Sequence, residues 1–317
     1  MTDVVCITGC TASGKSRIAK EIAEIRPSII INADSIQVYE CMKVLSSRPT
    51  NDDLNNIENR LYGHVKCGAN YNVGKWLQDV ENAIKYAHNK NKMPILVGGT
   101  GLYFSALLNG LSSIPPISER TKKKSALIKN TSQENFLNEL KVSDYETYQN
   151  IDKKNLVRVQ RAWEVLTETG YGLSYWQKNE KEPLVKVGNS KRYIISCDQF
   201  TLEANILARS EKMFEQGVDK EVKKILNSNY LMSPTHPAHK AIGFYEVSKY
   251  ISGEKTLEQV IDLINLKTRQ YAKKQRTWFR NQMSTWQVLN ITKGFELSNA
   301  VEHINNYTCN LNSNTKN

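Results

Sequence analysis

The sequence predicts an α/β protein in which a parallel sheet is flanked by helices and carries an inserted all-helical domain. The first observation is the apolar run Val4–Ile7, which has the length and β-branched content of a buried parallel strand. Second, similar runs follow later in the chain, with helical patterns between them, at residues 28–32, 95–97 and 192–198. Third, a long central segment shows helical periodicity without any strand-like run.

The change in composition near Ile114 sets the expected domain boundaries. Short apolar strands disappear there, and strand character returns near residue 192. We therefore expect an α/β core formed by residues 1–114 and 191–307. Residues 115–190 would form the helical insertion, and the Asn-rich tail 308–317 would be disordered.

Length and charge limit the class of protein. A chain of 317 residues is long enough for two domains or for one core with a large insertion. The net charge of +11 favours an anionic partner, although a generally basic proteome would give the same value. No apolar run approaches the ~18 residues that span a bilayer, and a strand that begins at residue 4 leaves no room for a signal peptide. We expect a cytoplasmic monomer without membrane contacts.

The cysteines give no sign of a disulfide framework or a metal site. Their spacing includes no C-x-x-C pair, and reduced thiols are the simplest interpretation for the six positions Cys6, Cys10, Cys41, Cys67, Cys197 and Cys309.

The segment GCTASGKS matches the phosphate-binding pattern G-x-x-x-x-G-K-[ST] at every fixed position. It lies between the first predicted strand and a helix-forming segment, which is the context that this loop requires. Its N–H groups and the helix N-terminus would point at a polyphosphate. Lys15 would neutralise phosphate charge, and the Ser16 hydroxyl would ligate Mg2+, the expected cofactor. The sequence thus predicts a P-loop NTPase-like sheet whose phosphate ligands are Gly9, Cys10, Thr11, Ala12, Ser13, Gly14, Lys15 and Ser16.

Two long helices carry separate apolar and basic faces. In the first, Leu156, Val159, Trp163 and Leu166 recur at helical spacing and predict one buried stripe, while Arg158 and Arg161 share an exposed face. The second runs from about Leu257 to Phe279. Val260, Ile264, Lys267, Tyr271 and Trp278 fall along one side, roughly opposite a basic stripe of Arg269, Lys273, Arg276 and Arg280, which is either a solvated face or a surface for an anionic partner.

Phosphate loops most often serve nucleotide hydrolysis or phosphoryl transfer, so a small-molecule or nucleotide kinase is one alternative. A non-enzymatic RNA-binding NTPase switch is another. Kinases usually place an aspartate after another apolar strand to hold the metal, whereas the run at 95–97 ends in glycines and a threonine. Asp34 and Asp198 remain as candidates. Asp34 stands beside Ser35 and Gln37, and these three side chains could instead contact an acceptor that loses a proton.

Six segments in order resemble the bacterial tRNA dimethylallyltransferases, also called tRNA isopentenyltransferases. The segments are GCTASGKS at 9–16, DSIQVY at 34–39, GGTGLYF at 98–104, RVQRAWEV at 158–165, AIGF at 241–244 and TRQYAKKQRTWFR at 268–280. The resemblance implies transfer of the five-carbon group of dimethylallyl diphosphate to the exocyclic amine of the adenosine just 3′ of the anticodon. The tRNAs concerned would read codons that begin with U, and diphosphate would be released.

The resemblance also implies roles for individual residues. Asp34 would be the general base, because adenine's amine is a poor nucleophile until its proton is removed, although a metal-shell or helix-cap role stays open. Thr100 would touch the tRNA beside the reacting base, unless it is a plain helix cap. Arg209 would reach the diphosphate with Lys15, unless it is an ordinary exposed arginine. The implied contacts with the anticodon stem-loop are Asp34, Ser35, Ile36, Gln37, Thr100, Lys122, Val157, Arg158, Val159, Gln160, Arg161, Ala241, Ile242, Gly243, Phe244, Tyr245 and Glu246.

The chain departs from the family pattern at three places. Cys10 stands where a proline is usual, residues 63–66 replace a Pro-His-His-Leu-like stretch, and Asn205 stands where an arginine often precedes Arg209. The last change leaves one cation fewer near the diphosphate.

Overall fold

Strands in the structure form one parallel sheet. The computed structural model describes residues 4–50, 52–55, 57–131, 134–178, 182–228, 237–291, 301–302 and 304. Its strands are β1 (Val4–Gly9), β2 (Ser28–Asn32), β3 (Asn59–Arg60), β4 (Met93–Gly98), β5 (Ser190–Ser196) and β6 (Gln287–Asn290). They are ordered β3-β2-β4-β1-β5-β6, and each neighbouring pair is parallel. The predicted fold class is confirmed.

The four predicted strands occupy the centre of the sheet, because their side chains are apolar on both faces. β1 and β2 are buried along their whole length. The two edge strands were not predicted. β3 has two residues inside a polar connection, and β6 lies in a part of the chain for which only helices were expected. The expectation for β6 is wrong because an edge strand that exposes most of its residues carries little apolar signal.

Helices cover both faces of the sheet. The helices along the chain are α1 (Lys15–Ile25), α2 (Val73–Asn89), α3 (Gly101–Asn109), α4 (Glu119–Thr131), α5 (Glu134–Ser143), α6 (Tyr145–Asn150), α7 (Leu156–Thr169), α8 (Leu173–Lys178), α9 (Gln199–Glu215), α10 (Val218–Leu226), α11 (Phe244–Ile251) and α12 (Leu257–Gln282). Val4 and Cys6 point to the side of α2 and α3, whereas Val5 and Ile7 point to the side of α1. Alternate strand residues therefore supply two separate cores. Within the described ranges, every helix is too short or too polar to cross a membrane.

The chain divides into two compact units. One consists of Met1–Leu108 with Leu184–Asn317, and the other of Asn109–Pro183. Leu184 and Val185 pack with the core of the first unit, although the sequence-based boundary assigned them to the insertion. The predicted tail 308–317 lies outside the described residues.

The second unit is helical and has its own apolar cluster. Val159 and Trp163 of α7 are buried against Phe136 and Leu140 of α5, with the partly buried Leu156 and Leu166 at its margin. The predicted stripe on α7 is therefore confirmed. Arg158 and Arg161 are exposed, as expected.

Helix α12 buries a face that includes polar residues. Of the residues aligned along one side of this helix in the sequence, Lys267 and Tyr271 are exposed, whereas Val260 and Ile264 are buried. The buried face holds Val260, Ile264, Asn265, Thr268, Ala272, Gln275 and Phe279. Its polar members are satisfied by hydrogen bonds, such as Ser210 Oγ to Asn265 Oδ1 at 2.8 Å. The basic stripe of α12 is exposed throughout.

Two cysteines are paired, which corrects the expectation of six reduced thiols. Cys41 and Cys67 form a disulfide, with their Cα atoms 5.7 Å apart. A parallel bridge between Tyr39 and Val65 aligns the two segments. Cys41 lies two residues after Tyr39, and Cys67 lies two residues after Val65. This long-range alignment leaves no mark in cysteine spacing. Cys6, Cys10 and Cys197 are free and buried, whereas Cys309 lies outside the described residues.

Candidate active site

The phosphate loop connects β1 to α1 through two left-handed residues. Ala12 has φ 62° and Gly14 has φ 87°, and Ser13 N donates to Cys10 O at 3.2 Å. A Cβ on Gly9 would lie 2.5 Å from Ile195 O, so only glycine allows β5 to pack this closely. Lys15 Nζ donates to Cys10 O at 3.3 Å across the loop. The loop therefore has the tight turn that directs backbone N–H groups toward an anion.

The chemistry of the loop fits a polyphosphate. Burial lowers the pKa of Lys15, although the nearby Asp34 raises it in part. The Ser13 hydroxyl is buried and has no hydrogen-bond partner among the described residues. Phosphate oxygens would give the Ser13 hydroxyl a partner and would add to the one hydrogen bond of the Lys15 ammonium, since polar groups removed from water need partners.

Magnesium could bind at the same place if phosphate oxygens of a bound ligand completed its coordination. Ser16 is exposed at the first turn of α1, where its hydroxyl could ligate Mg2+. The described part of the chain contains no group of three or more His, Cys, Asp or Glu side chains that could hold a metal ion by itself. Mg2+ commonly binds through few protein ligands together with phosphate oxygens, so the donor set agrees with an ion brought by a diphosphate.

Asp34 follows β2 and is held in place through its own backbone. Its Oδ1 accepts from Ile36 N at 2.9 Å and from Gln37 N at 3.3 Å. Asn32, which is fully buried, accepts from Asp34 N and donates to Asp34 O, both at 3.0 Å. A second donation joins Asn32 to Leu61 O at 3.0 Å. Among the described residues, Oδ2 of Asp34 accepts no hydrogen bond, so this oxygen is available to a substrate.

The Gly-Gly-Thr-Gly turn after β4 serves close packing. A Cβ on Gly98 would lie 2.0 Å from Ala33 O, and one on Gly101 would lie 2.0 Å from the Trp278 ring. Thr100 Oγ1 accepts from Ser35 N at 3.0 Å. The glycines thus let β2 and β4 end side by side, with Thr100 fixed beside the Asp34 segment.

Gln275 joins the phosphate loop to that turn. Its Oε1 accepts from Thr11 N at 2.9 Å, and its Nε2 donates to Gly99 O at 2.9 Å. No role for Gln275 was predicted from the sequence. The sequence feature that could have pointed to it is a polar residue within the block at 268–280, on the face of α12 that also carries Ala272 and Phe279.

Arg209 reaches the phosphate loop from α9. Its guanidinium donates to Thr11 Oγ1, to Ser47 Oγ at 2.7 Å and to Ser46 O at 3.3 Å. Burial lowers its pKa, and Asp34 opposes that shift. Asn205, one turn earlier, donates to Ala12 O at 3.0 Å. The departure at Asn205 therefore replaces a cation with a loop-binding amide.

Most of these groups line one cavity of about 750 Å³ in the first unit, but Thr100 lies outside its lining and contacts the site through Ser35. Lys15, Asp34 and Arg209 share it with Ser35, Ile36, Gln37, Ala241 and Ile242. An apolar wall includes Leu45, Met213 and Ile264. The cavity places cations, a carboxylate with a free oxygen and apolar surface together, which suits a short apolar diphosphate ester and an acceptor with a proton to lose.

Other residues implied to contact tRNA in the first unit are mostly occupied in packing. The side chains of Ala241, Phe244 and Glu246 are buried. Glu246 accepts from Gly243 N at 2.9 Å and pairs with Lys267, so it caps α11. Tyr245 is exposed. Direct contacts by the buried side chains are therefore not supported in this conformation.

The residues implied to contact tRNA in the second unit lie on α4 and α7. Val157 is 70% exposed, whereas Val159 is 1% exposed and belongs to the apolar cluster. Gln160 donates to Ser125 Oγ and Glu164 Oε1, each at 3.0 Å. Lys122 is exposed and pairs with Glu119 at 2.7 Å. Only the exposed members of this set, with Arg158 and Arg161, are open to a partner.

Comparison with known proteins identifies relatives over most of the chain. The sequence profile described as IPP transferase matches residues 37–282, and one described as Isopentenyl transferase matches residues 2–67. A "tRNA dimethylallyltransferase" of Ruegeria sp. is 40% identical over 89% of this chain and 94% of its own length. One from Wolbachia pipientis wMel is 40% identical over 90% and 95%, respectively.

Solved structures agree with the sequence relatives. A full-length tRNA isopentenylpyrophosphate transferase from Bacillus halodurans has a TM-score of 0.69 and 25% identity, over 98% of this chain and 96% of its own. A eukaryotic dimethylallyltransferase described as acting on tRNA has a TM-score of 0.78 and 25% identity, over 92% of this chain and 75% of its own. With its phosphate loop, Asp34 turn and Arg209 in one cavity, the chain belongs to the IPP transferase family.

Proposed function

We propose that this protein transfers the dimethylallyl group of dimethylallyl diphosphate to the exocyclic amine of the adenosine 3′ of the anticodon in tRNAs reading U-starting codons. The observation that carries the proposal is the shared cavity, where the phosphate loop and Arg209 stand beside Asp34. Membership of the family supports the same reaction. A kinase is less favoured, because β4 ends in glycines and Thr100 instead of a carboxylate that would hold a metal.

Charge stabilisation on the leaving group would drive the donor half of the reaction. As the C–O bond of the allylic ester breaks, the electron pair goes to the diphosphate. Lys15, Arg209 and the N–H groups of the phosphate loop would stabilise that negative charge. Mg2+ held by Ser16 and the diphosphate would add further positive charge at the same oxygens. The buried Ser13 hydroxyl would donate to the diphosphate as well.

The acceptor half depends on Asp34. As the adenine nitrogen forms its bond to carbon, its proton would pass to Oδ2, the oxygen that accepts no hydrogen bond in the described structure. The two N–H groups on Oδ1 would hold the carboxylate in one orientation. The adenosine must leave the anticodon stack to reach this oxygen. Thr100, bound to Ser35 N, would contact it there.

The test is mass analysis of anticodon-loop nucleosides after incubation of unmodified tRNA with the protein, dimethylallyl diphosphate and Mg2+. We expect one added isopentenyl unit on the adenosine. Asp34→Asn should reduce turnover by about 10²–10⁴-fold while diphosphate binding is kept. Asp262→Asn, the same change at an exposed position of α12, is the matched control. Phosphoryl transfer from labelled ATP without any nucleoside mass gain would favour a kinase instead.

The helical unit supplies a separate test of tRNA binding. Charge reversal at Arg158 and Arg161 should weaken tRNA binding and lower the salt dependence by about 0.7 for each phosphate that is no longer neutralised. The exposed lysines Lys129 and Lys141 of the same unit, reversed in the same way, serve as the control. Equal losses in both double variants would mean that net charge alone attracts the tRNA. We also propose that the protein is cytoplasmic and monomeric. Gel filtration at working concentration would check the monomeric state.

A further inference from the structure

A turn between Lys43 and Ser47 receives a carboxylate on its outer side. Glu221 of α10 accepts three consecutive backbone N–H groups, from Lys43 at 2.9 Å, Val44 at 2.8 Å and Leu45 at 2.8 Å. The residues concerned are more than 170 positions apart in sequence. Hydrogen bonds to an ionised acceptor are about twice as strong as neutral ones, so this contact fixes the turn firmly.

The inner side of the same turn faces the cavity and binds Arg209. Its guanidinium donates to Ser47 Oγ at 2.7 Å and to Ser46 O at 3.3 Å. Gln37 Nε2 donates to Ser46 O at 3.1 Å and to Ser47 O at 3.2 Å. Ser47 has φ 49°, a left-handed conformation that a non-glycine residue adopts only when its surroundings hold it. The turn therefore presents its N–H groups to Glu221 and its oxygens to Arg209.

We infer that Glu221 is a positioning residue for the reaction, because its carboxylate shapes the 43–47 turn that holds Arg209 at the phosphate loop. The inference rests on the proposed function, in which Arg209 binds the diphosphate. Glu221 itself does not line the cavity and touches no substrate. Its effect reaches the diphosphate only through the turn and the guanidinium.

Substitutions at Glu221 separate this role from simple loop stabilisation. Glu221→Gln keeps the size of the side chain but replaces one acceptor oxygen by an amide donor, which would face a backbone N–H. Glu221→Asp keeps the charge and both oxygens on a shorter stem. If Glu221 positions Arg209, the first change should release the turn and the second should restore part of its order. Glu215→Gln, at an exposed position of α9, is the matched control.

The experiment measures binding of inorganic diphosphate with Mg2+ by calorimetry, together with KM for dimethylallyl diphosphate and kcat for tRNA alkylation. We expect Glu221→Gln to raise the diphosphate Kd and that KM by about tenfold or more, as losing hydrogen bonds to a charged group does. The KM for tRNA should change by less than about twofold, which corresponds to less than half a kcal/mol of binding free energy. Glu221→Asp should recover part of the affinity, and Glu215→Gln should behave as the parent chain.

A double-mutant cycle with Arg209→Ala gives the decisive result. If Glu221 acts through Arg209, adding Glu221→Gln to Arg209→Ala should weaken diphosphate binding no further. Additive losses, or a lower kcat at unchanged KM for dimethylallyl diphosphate, would overturn the inference and leave Glu221 a purely structural residue. Failure of the proposed function has a different signature, because the parent chain would then bind diphosphate without alkylating tRNA.

Discussion

The side chain of Asn32 holds the proposed base in place, so its removal should affect stability and turnover together. Asn32→Ala deletes three hydrogen bonds, two to Asp34 and one to Leu61 O, at a fully buried position. At about 1 kcal/mol for each bond, the free energy of unfolding should fall by about 3 kcal/mol. For a unit of this size, that loss lowers the melting temperature by about 6–12 °C.

Turnover should fall as well, because the Asp34 backbone loses both of its hydrogen bonds to Asn32. A displacement of about 1 Å at a reacting group can cost up to a hundredfold in rate, so we expect a loss of kcat between tenfold and that limit. Melting is followed by circular dichroism, and kcat is measured well below the melting temperature of the variant. Asn59→Ala is the control, since that amide makes one longer bond, to Ile57 O at 3.3 Å. A destabilised variant with unchanged kcat would show that Asn32 supports the fold without positioning Asp34.

The remaining predictions concern packing, the disulfide and one buried thiol. Gly98→Ala places a Cβ 2.0 Å from Ala33 O and should lower both stability and turnover, whereas Gly188→Ala, in open space, should change neither in parallel melting and activity assays. The Cys41–Cys67 disulfide closes a loop with a sequence separation of 26, so its reduction should lower the free energy of unfolding by about 3.5 kcal/mol. A melting temperature that does not change when reductant is added would contradict this. Burial raises the pKa of the Cys197 thiol from 9.0 to about 11, so the unfolded chain loses this proton first and stability should fall as pH rises from 9.0 towards 11. Denaturant titrations across that range should show a shallower fall for Cys197→Ala.

Local patterns were enough to predict the four central strands of the sheet and the phosphate loop. The strands β1, β2 and β4 are mostly apolar runs, and β5 contains the apolar run Tyr193–Ile195. The loop at 9–16 is a contiguous motif, so its position needed no tertiary information. The same holds for α7, whose buried stripe follows from spacing alone.

Contacts between distant segments could not be predicted in this way. Asn32 reaches Leu61, Gln275 reaches Thr11, and Cys41 reaches Cys67, and no periodicity links the partners. Helix α12 shows the reason most clearly. Apolar spacing gives no sign that Asn265, Thr268 and Gln275 are buried in this helix, where hydrogen bonds satisfy them. A buried amide near a site has the same sequence signal as an exposed one.

The place where the helical unit leaves the core has a consequence for how the chain can be rebuilt. Val185 N donates to Leu107 O at 3.1 Å, so the outgoing and returning ends meet at a single hydrogen bond. A few glycines could bridge such a gap at little entropic expense, because joining adjacent ends fixes only a short loop. Excision of residues 109–183 would then yield a trimmed chain that keeps the cavity beside the phosphate loop and offers a junction at which another folded module could be inserted.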